Sequence, residues 1–155
     1  MANRRALEKG ISLAEVVMVA AIGLTLFAMA VPAAQNDDVA GSVARNIVSD
    51  AVRARSHSRR SWETVTMQID VGSERWRTVK QDGTYLLSVG ADDNGWHDAP
   101  PGVDFQQIEG QPTDLTFLPN GRASESTSAR IVTGGTEWEI HVDRLSARVS
   151  AFPVQ

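Results

Sequence analysis

Gly10-Ile11-Ser12-Leu13-Ala14-Glu15 opens the stretch that decides how this chain folds, because ISLAEVVMVAAIGLTLFAMAVPAA at positions 11–34 carries no charge after Glu15. The charge-free part, 16–34, would span ~28 Å as a helix at ~1.5 Å per residue, close to the ~30 Å hydrocarbon thickness of a bilayer. Helical backbone is the form such a segment must take in lipid, where free N–H and C=O groups find no other partner. Arg4, Arg5 and Lys9 outweigh Glu8 in the preceding segment, which places the N-terminus on the cytoplasmic side.

Two other readings compete for this segment. A discarded secretory signal has a shorter apolar core of ~7–15 residues, although AMAVPAAQ offers small residues for a cut. A buried helix of a soluble core would need more chain to wrap it than residues 61–155 supply. A retained anchor is the reading that fits the length.

The chain has 155 residues, 42% of them apolar and 22% charged, with a net charge of −4. It contains no cysteine, which excludes a disulfide framework, an iron–sulfur cluster, a thiolate zinc site and thiol catalysis. A pI of 5.3 argues against a protein that coats nucleic acid generally, while leaving room for a local basic patch.

Glu15 stands in the apolar run, where a carboxylate costs ~2.5–3.5 kcal/mol at a helix centre and less near the interface. One explanation is headgroup depth. The other is a cation at the same depth, and a chain cut just before Ile11 would supply one as a new α-amino group on a neighbouring copy.

The residues Gly10-Ile11-Ser12-Leu13-Ala14-Glu15, after a short basic leader and before an apolar run, resemble the class III leader of type IV pilins and type II secretion pseudopilins. Pro32 fits the resemblance, lying where many pilins have a helix-kinking proline. The resemblance implies that prepilin peptidase cuts between Gly10 and Ile11, that the new amine of Ile11 is methylated, and that Glu15 serves filament assembly. Isoleucine replaces the family's usual phenylalanine at the first mature position. Without residues 1–10, 12 basic and 18 acidic side chains remain, so the exported body is acidic.

Beyond Pro32, Val39, Val43, Ile47 and Ala51 recur at spacings of three and four, with Ala40, Ala44, Val48 and Val52 beside them. This spacing predicts an amphipathic helix over 35–60, continuing the anchor into a rod of up to ~75 Å. Asp37 and Asp38 suit the start of its exposed half if the helix is interrupted after Pro32. Arg53, Arg55, Arg59 and Arg60, with Arg45 earlier, fall near its end. Cations belong there, where unpaired carbonyls gather negative charge; a phosphate-contacting patch is the second reading.

From residue 61 the pattern changes to alternation. Val65, Met67 and Ile69 mark one strand, and Trp76, Thr78 and Lys80 a second. Tyr85, Leu87 and Val89 mark a third, Phe105 and Ile108 a fourth, Leu115 and Phe117 a fifth. Ile131 leads to a strand at Trp138, Ile140 and Val142, and a last one lies around 145–149. Asp82-Gly83, Asn94-Gly95, Asn120-Gly121 and Gly134-Gly135 are turn signals. The expected class is α+β: a long helix, transmembrane in its first half and amphipathic in its second, packed on an antiparallel β-sandwich of which one sheet covers the stem's apolar stripe.

Neither an HExxH spacing, a nucleophile elbow nor a glycine-rich phosphate loop after a strand is present, which argues against an enzyme. His57 belongs to the arginine-rich stem end, His97 to a loop, and His141 to the face of its strand shared with Glu137 and Glu139. Asp92-Asp93-Asn94-Gly95-Trp96-His97-Asp98 lacks the EF-hand register and reads as a hairpin tip. No metal and no cofactor are expected.

Leu115-Thr116-Phe117-Leu118-Pro119-Asn120-Gly121-Arg122, followed by a polar loop and terminal strands, is similar to a segment near the end of GspH/FimT-type pseudopilins. Ala51-Val52-Arg53-Ala54-Arg55-Ser56 resembles that family's passage from stem to first strand. The organisation implied is a leader at 1–10, an anchor at 11–34, a periplasmic half-stem at 35–60 and a β-domain at 61–155. The implied role is a minor pseudopilin of a type II secretion system, anchored by one pass in the inner membrane with its body in the periplasm. Its partners would be prepilin peptidase, other pilin-like subunits, the inner-membrane assembly platform and the lipid bilayer.

The alternative is a FimT-like minor pilin of a type IV pilus that binds nucleic acid, with Arg144 and Arg148 as contacts, although Arg144-Leu145-Ser146-Ala147-Arg148 lacks that branch's Gly-Arg-x-Arg pattern. A solitary anchored binding module is a third class, and it would need no leader processing.

Overall fold

The computed structural model describes residues 13–22 and 38–154. The chain divides into two units, 1–37 and 38–155. In the first, 13–22 is helical (α1) with every residue exposed. Among the described residues no helix is long and apolar enough to cross a membrane. Most of the expected anchor, with Pro32, lies outside those residues.

The second unit starts with a capped helix, α2 (Val39–Ser61). Asp38 is its N-cap, with non-helical backbone (ψ 74°) and a side chain that accepts the Gly41 N–H at 2.8 Å. That carboxylate satisfies one of the amides a helix leaves unpaired at its start. The second half of the stem thus starts at Asp38, one of the two acids whose place at a helix start the sequence suggests. The helix ends at Trp62, which adopts the left-handed conformation (φ 54°) just after Arg59 and Arg60 in the last turn.

The buried face of α2 consists of Ala40, Gly41, Val43, Ala44, Ile47, Ala51, Ala54 and Ser58. Most of these are small, so strands can approach the helix backbone closely. Ser58 is completely buried, and its hydroxyl lies 2.8 Å from the Glu63 carbonyl and 3.2 Å from that of Phe117. This fixes the helix end against the first sheet.

Eight strands follow: β1 (Val65–Asp70), β2 (Arg75–Lys80), β3 (His97–Asp98), β4 (Asp104–Gln107), β5 (Leu115–Phe117), β6 (Thr127–Thr133), β7 (Thr136–Val142) and β8 (Val149–Pro153). They form two four-stranded antiparallel sheets, ordered β3-β2-β1-β5 and β4-β6-β7-β8. The stem touches β1, β2 and β5 of the first sheet and β6, β7 and β8 of the second, whereas one covering sheet was expected. Its apolar stripe joins Val65, Met67, Phe105, Phe117, Ile131 and Ile140 in one core.

Alternation along β1 places Val65, Met67 and Ile69 inside, as the pattern predicts. Gly134 and Gly135, both at positive φ, make the β6–β7 hairpin that pairs Thr133 with Thr136; glycine adopts that region without a Cβ clash.

Two expected strands differ. Tyr85 makes a single bridge to Val79 and the chain then leaves the sheet, with Leu87 and Val89 exposed. The place beside β2 goes to His97–Asp98 instead. The last strand begins at Val149, where 145–149 was expected, because Asp143 and Ser146 close a turn first.

Candidate functional site

Gly10, Ile11 and Pro32 lie outside the described residues. Glu15 lies in α1 and is exposed. The site geometry that can be built from side chains belongs to the second unit.

Midway along α2, Asp50 collects partners from three elements. Trp76 Nε1 on β2 donates to Asp50 Oδ2 at 3.0 Å, Arg53 Nη2 stands 3.4 Å from Oδ1, and His97 Nε2 is 3.6 Å from Oδ2. The His97 ring stacks on Trp76, with centroids 5.1 Å apart and planes 14° from parallel. Ser88 Oγ hydrogen-bonds the same His97 Nε2, and Arg53 reaches the Leu86 carbonyl at 3.4 Å.

Ser88, His97 and Asp50 are the residue types of a hydrolytic triad, but such a triad needs serine on one ring nitrogen and carboxylate on the other. Here both face Nε2, so no proton path runs from serine through the ring to the acid. What the cluster does is hold loop 86–98 against the stem, along a groove that Ser42, Asn46, Asp98 and Pro100 also line.

The same loop is pinned from its other side. Two guanidinium groups lie over the Trp96 ring, Arg75 Cζ at 4.4 Å and Arg77 Cζ at 4.2 Å from its centroid, and Arg77 also covers Tyr85 at 5.0 Å. Asp92 Oδ1 accepts from the amides of Asn94 and Trp96. A Cβ at Gly95, which has φ 75°, would stand 2.9 Å from Tyr85 Cβ. The acidic stretch at 92–98 is thus a folded turn clamped by cation–π contacts, whereas the sequence reads it as a hairpin tip. Arg75 and Arg77 alternating on β2, with Trp96 downstream, is the signal that could have suggested the clamp.

At the end of α2, Arg55, Arg59 and Arg60 share a ridge with Val52 and Ser56. Arg45, Arg53, Arg75 and Arg130 each have a carboxylate within 4.0 Å, but among the described residues the ridge arginines have none. Trp62 beside them is 77% exposed. His57 Nε2 meets Glu63 Oε1 at 2.6 Å, which occupies the nearby acid.

Arg144 and Arg148 are both exposed and flank one turn. Ser146 donates its hydroxyl and its amide to Asp143 Oδ1, each at 2.7 Å. Those two bonds hold the Asp143 carboxyl below the usual carboxylate range. His141 sits on β7 with its Nδ1 2.9 Å from Ser128 Oγ. Among the described residues no group of three or more His, Asp or Glu is placed to hold a metal ion.

No family model and no curated protein matches the sequence. Solved structures do match the fold. The minor pseudopilin EpsH from the Type 2 Secretion System of Vibrio cholerae is similar at a TM-score of 0.57 and 15% identity, over 75% of this chain and 98% of that one. A second structure of EpsH gives a TM-score of 0.55 at 12% identity, over 74% and 96%. The type IV minor pilin FimU of Pseudomonas aeruginosa gives 0.54 at 15% identity, over 73% and 87%. The chain therefore has a type IV pilin-like fold, shared with minor pseudopilins and minor pilins.

Proposed function

We propose that this chain is a minor subunit of a pilin-like filament, a minor pseudopilin of a type II secretion system. The observation that carries the reading is the joint occurrence of a pilin-like body and the run Gly10-Ile11-Ser12-Leu13-Ala14-Glu15 before a charge-free span. In this proposal prepilin peptidase cuts between Gly10 and Ile11 and the new amine is methylated. Residues 11–34 stay in the inner membrane as a single pass, with Pro32 as the kink, and the body lies in the periplasm. The amine of Ile11 on an adjacent subunit neutralises Glu15 as the assembly platform moves the chain out of the bilayer. The role is structural, with no reaction catalysed.

Intact-mass measurement on membrane-extracted protein tests the first step: a chain starting at Ile11 supports it, and one starting at Met1 or beyond Pro32 overturns it. Glu15→Val should still be cleaved and membrane-bound yet fail to enter filaments; normal incorporation counts against the role of Glu15.

A second reading, a FimT-like minor pilin of a type IV pilus that binds DNA, is favoured by one observation: Arg144 and Arg148 are exposed at the two ends of one turn, with Asp143 occupied by Ser146. Retardation of a DNA fragment that weakens with salt and is lost in Arg144→Ala/Arg148→Ala would establish that reading.

A further inference from the structure

The arginines of the body fall into two groups. Arg45, Arg53, Arg75 and Arg130 each have a carboxylate within 4.0 Å, and Arg77 donates to Gln68 at 2.8 Å. Among the described residues Arg55, Arg59 and Arg60 have neither an acid within that distance nor a side-chain hydrogen bond. These three converge: with Val52 and Ser56 they line a hollow of about 390 Å³ on the stem. Positions 52, 55, 56, 59 and 60 follow the spacing of a single helix face. Arg55 and Arg59 stand one turn apart, with Cβ atoms ~5–6 Å from each other, where like charges destabilise a helix.

Two features make this more than a run of surface charge. Arg55 Nε is shut off from solvent and has no hydrogen-bond partner. The Nε atoms of Arg53 and Arg130 share that condition, but each of those residues has a carboxylate on a terminal nitrogen, at 3.4 and 3.0 Å. A charged donor left unpaired is costly until an acceptor reaches it. Arg59 lies against the turn at 118–122: its Cδ and Nε are 3.0 and 3.2 Å from where a Cβ on Gly121 would stand, and Gly121 has φ 80°. Any larger residue there would displace the guanidinium. The nearby acid Glu63 is taken by His57 Nε2 at 2.6 Å. The helix end accounts for part of the positive charge, but it carries only about half a negative charge, confined to the last turn. Three guanidinium groups exceed that, and Arg55 lies a turn earlier.

We infer that this hollow binds a phosphate monoester dianion, as a free phosphate or as the terminal phosphate of a lipid headgroup. Three positive charges suit a group carrying about −1.5 to −2 at neutral pH, whereas a single carboxylate would leave most of them unpaired. The cations are all arginine, whose planar fork holds two oxygens of one phosphate at once; lysine acts only as a point charge. The exposed Ser56 hydroxyl supplies a further donor. Val52, 52% exposed, gives the hollow an apolar wall, and a less polar surround strengthens each charged contact. The inference goes beyond the filament reading and requires neither leader cleavage nor filament entry. It is also separate from Arg144 and Arg148, which flank a different turn.

Calorimetric titration of the full chain in nonionic detergent, at fixed ionic strength, tests it with inorganic phosphate, glycerol 3-phosphate and acetate. Both phosphates should bind saturably, and acetate about tenfold more weakly or worse. Arg55→Gln/Arg59→Gln should weaken phosphate binding about a hundredfold, at about tenfold per charge-assisted contact removed, while Arg144→Gln/Arg148→Gln leaves it unchanged. Arg55→Lys/Arg59→Lys keeps the charge without the fork and should still lose about tenfold, a readout that survives if the glutamine variant fails to fold. Tighter binding of glycerol 3-phosphate than of inorganic phosphate assigns the site to a headgroup and the reverse order to the free ion; both support the inference. It is overturned by absence of saturable binding, by acetate binding as tightly as phosphate, or by variants that bind like the parent. Displacement of phosphate by hexaglutamate, or by a DNA duplex without terminal phosphates, at lower concentration than glycerol 3-phosphate requires also overturns it. Leader cleavage and the Glu15→Val phenotype are read separately, so a failed titration leaves the filament reading intact.

Discussion

Trp76 Nε1 donates to Asp50 Oδ2 at 3.0 Å, joining the second strand of the body to the middle of the stem. The indole is buried and stacks on His97, so one side chain fixes the helix, the sheet and the loop between β2 and β3 at once. Trp76→Phe removes this donor together with part of the buried ring. Trp76→Phe should lower unfolding stability by about 1.5–3 kcal/mol, the range for a hydrogen bond to a charged group, as read by urea denaturation. No change in the midpoint would show that Asp50 exchanges the indole for water freely.

Gly41 tests packing against propensity. Alanine is favoured over glycine inside a helix by about 1 kcal/mol, yet a Cβ here would stand 2.0 Å from Asp38 Oδ2 and 2.7 Å from Trp138 Cε2. Asp38 holds both the Gly41 amide and the Trp138 indole N–H, the latter at 2.9 Å. Gly41→Ala should therefore destabilise by about 1–3 kcal/mol, the usual cost of overpacking, while Ser42→Ala on the exposed side stays near neutral. A stabilised Gly41→Ala in thermal melts would refute the clash.

The clamp on Trp96 predicts a local effect. Two cation–π contacts at ~0.5–1 kcal/mol each are lost in Trp96→Ala, with little of the core disturbed. Hydrogen exchange should rise in 86–98 and limited proteolysis should cut there first, while the strands β6 and β7 keep their protection. Uniform loss of protection would place Trp96 in the global fold instead.

Burial raises the Asp114 carboxyl above its ordinary value, and an amide bond from Ile69 only partly offsets this. A carboxyl raised on folding binds protons more tightly in the native state, so its contribution to stability grows as pH falls through the raised value and is lost as pH rises through it. Asp114→Asn, which keeps an acceptor for Ile69, should thus be more stable than the parent at neutral pH. The gain should vanish once pH drops below the ordinary carboxylate range. A pH-independent difference between the two melting curves would contradict burial as the cause.

Much of the body is legible in the chain. The stem follows from Val39, Val43, Ile47 and Ala51, because one helical face is enough to identify it. Strand β1 follows from strict alternation, and the β6–β7 hairpin from Gly134-Gly135. The structure departs from the sequence reading at 85–89, where Tyr85, Leu87 and Val89 alternate like a strand, while the place beside β2 is won by His97–Asp98 through contacts distant in sequence: the His97 stack on Trp76 and the Trp96 contacts with two arginines. Local pattern carries no information about which of two segments has the better partners. The arginine ridge is visible as composition, but that it has no carboxylate within 4.0 Å among the described residues, and that Trp62 stands exposed beside it, depends on where the chain turns.

Periodicity and charge along the chain determined that an apolar span, an amphipathic stem and a set of short antiparallel strands occur in that order, because each depends on residues within a few positions of one another. Tertiary structure alone decided that the stem is shared by two sheets and that Asp50 and Asp38 anchor indoles from different strands. Those outcomes come from contacts between residues separated by as many as 100 positions, whose pairing is fixed by close packing and by the need to satisfy buried polar groups.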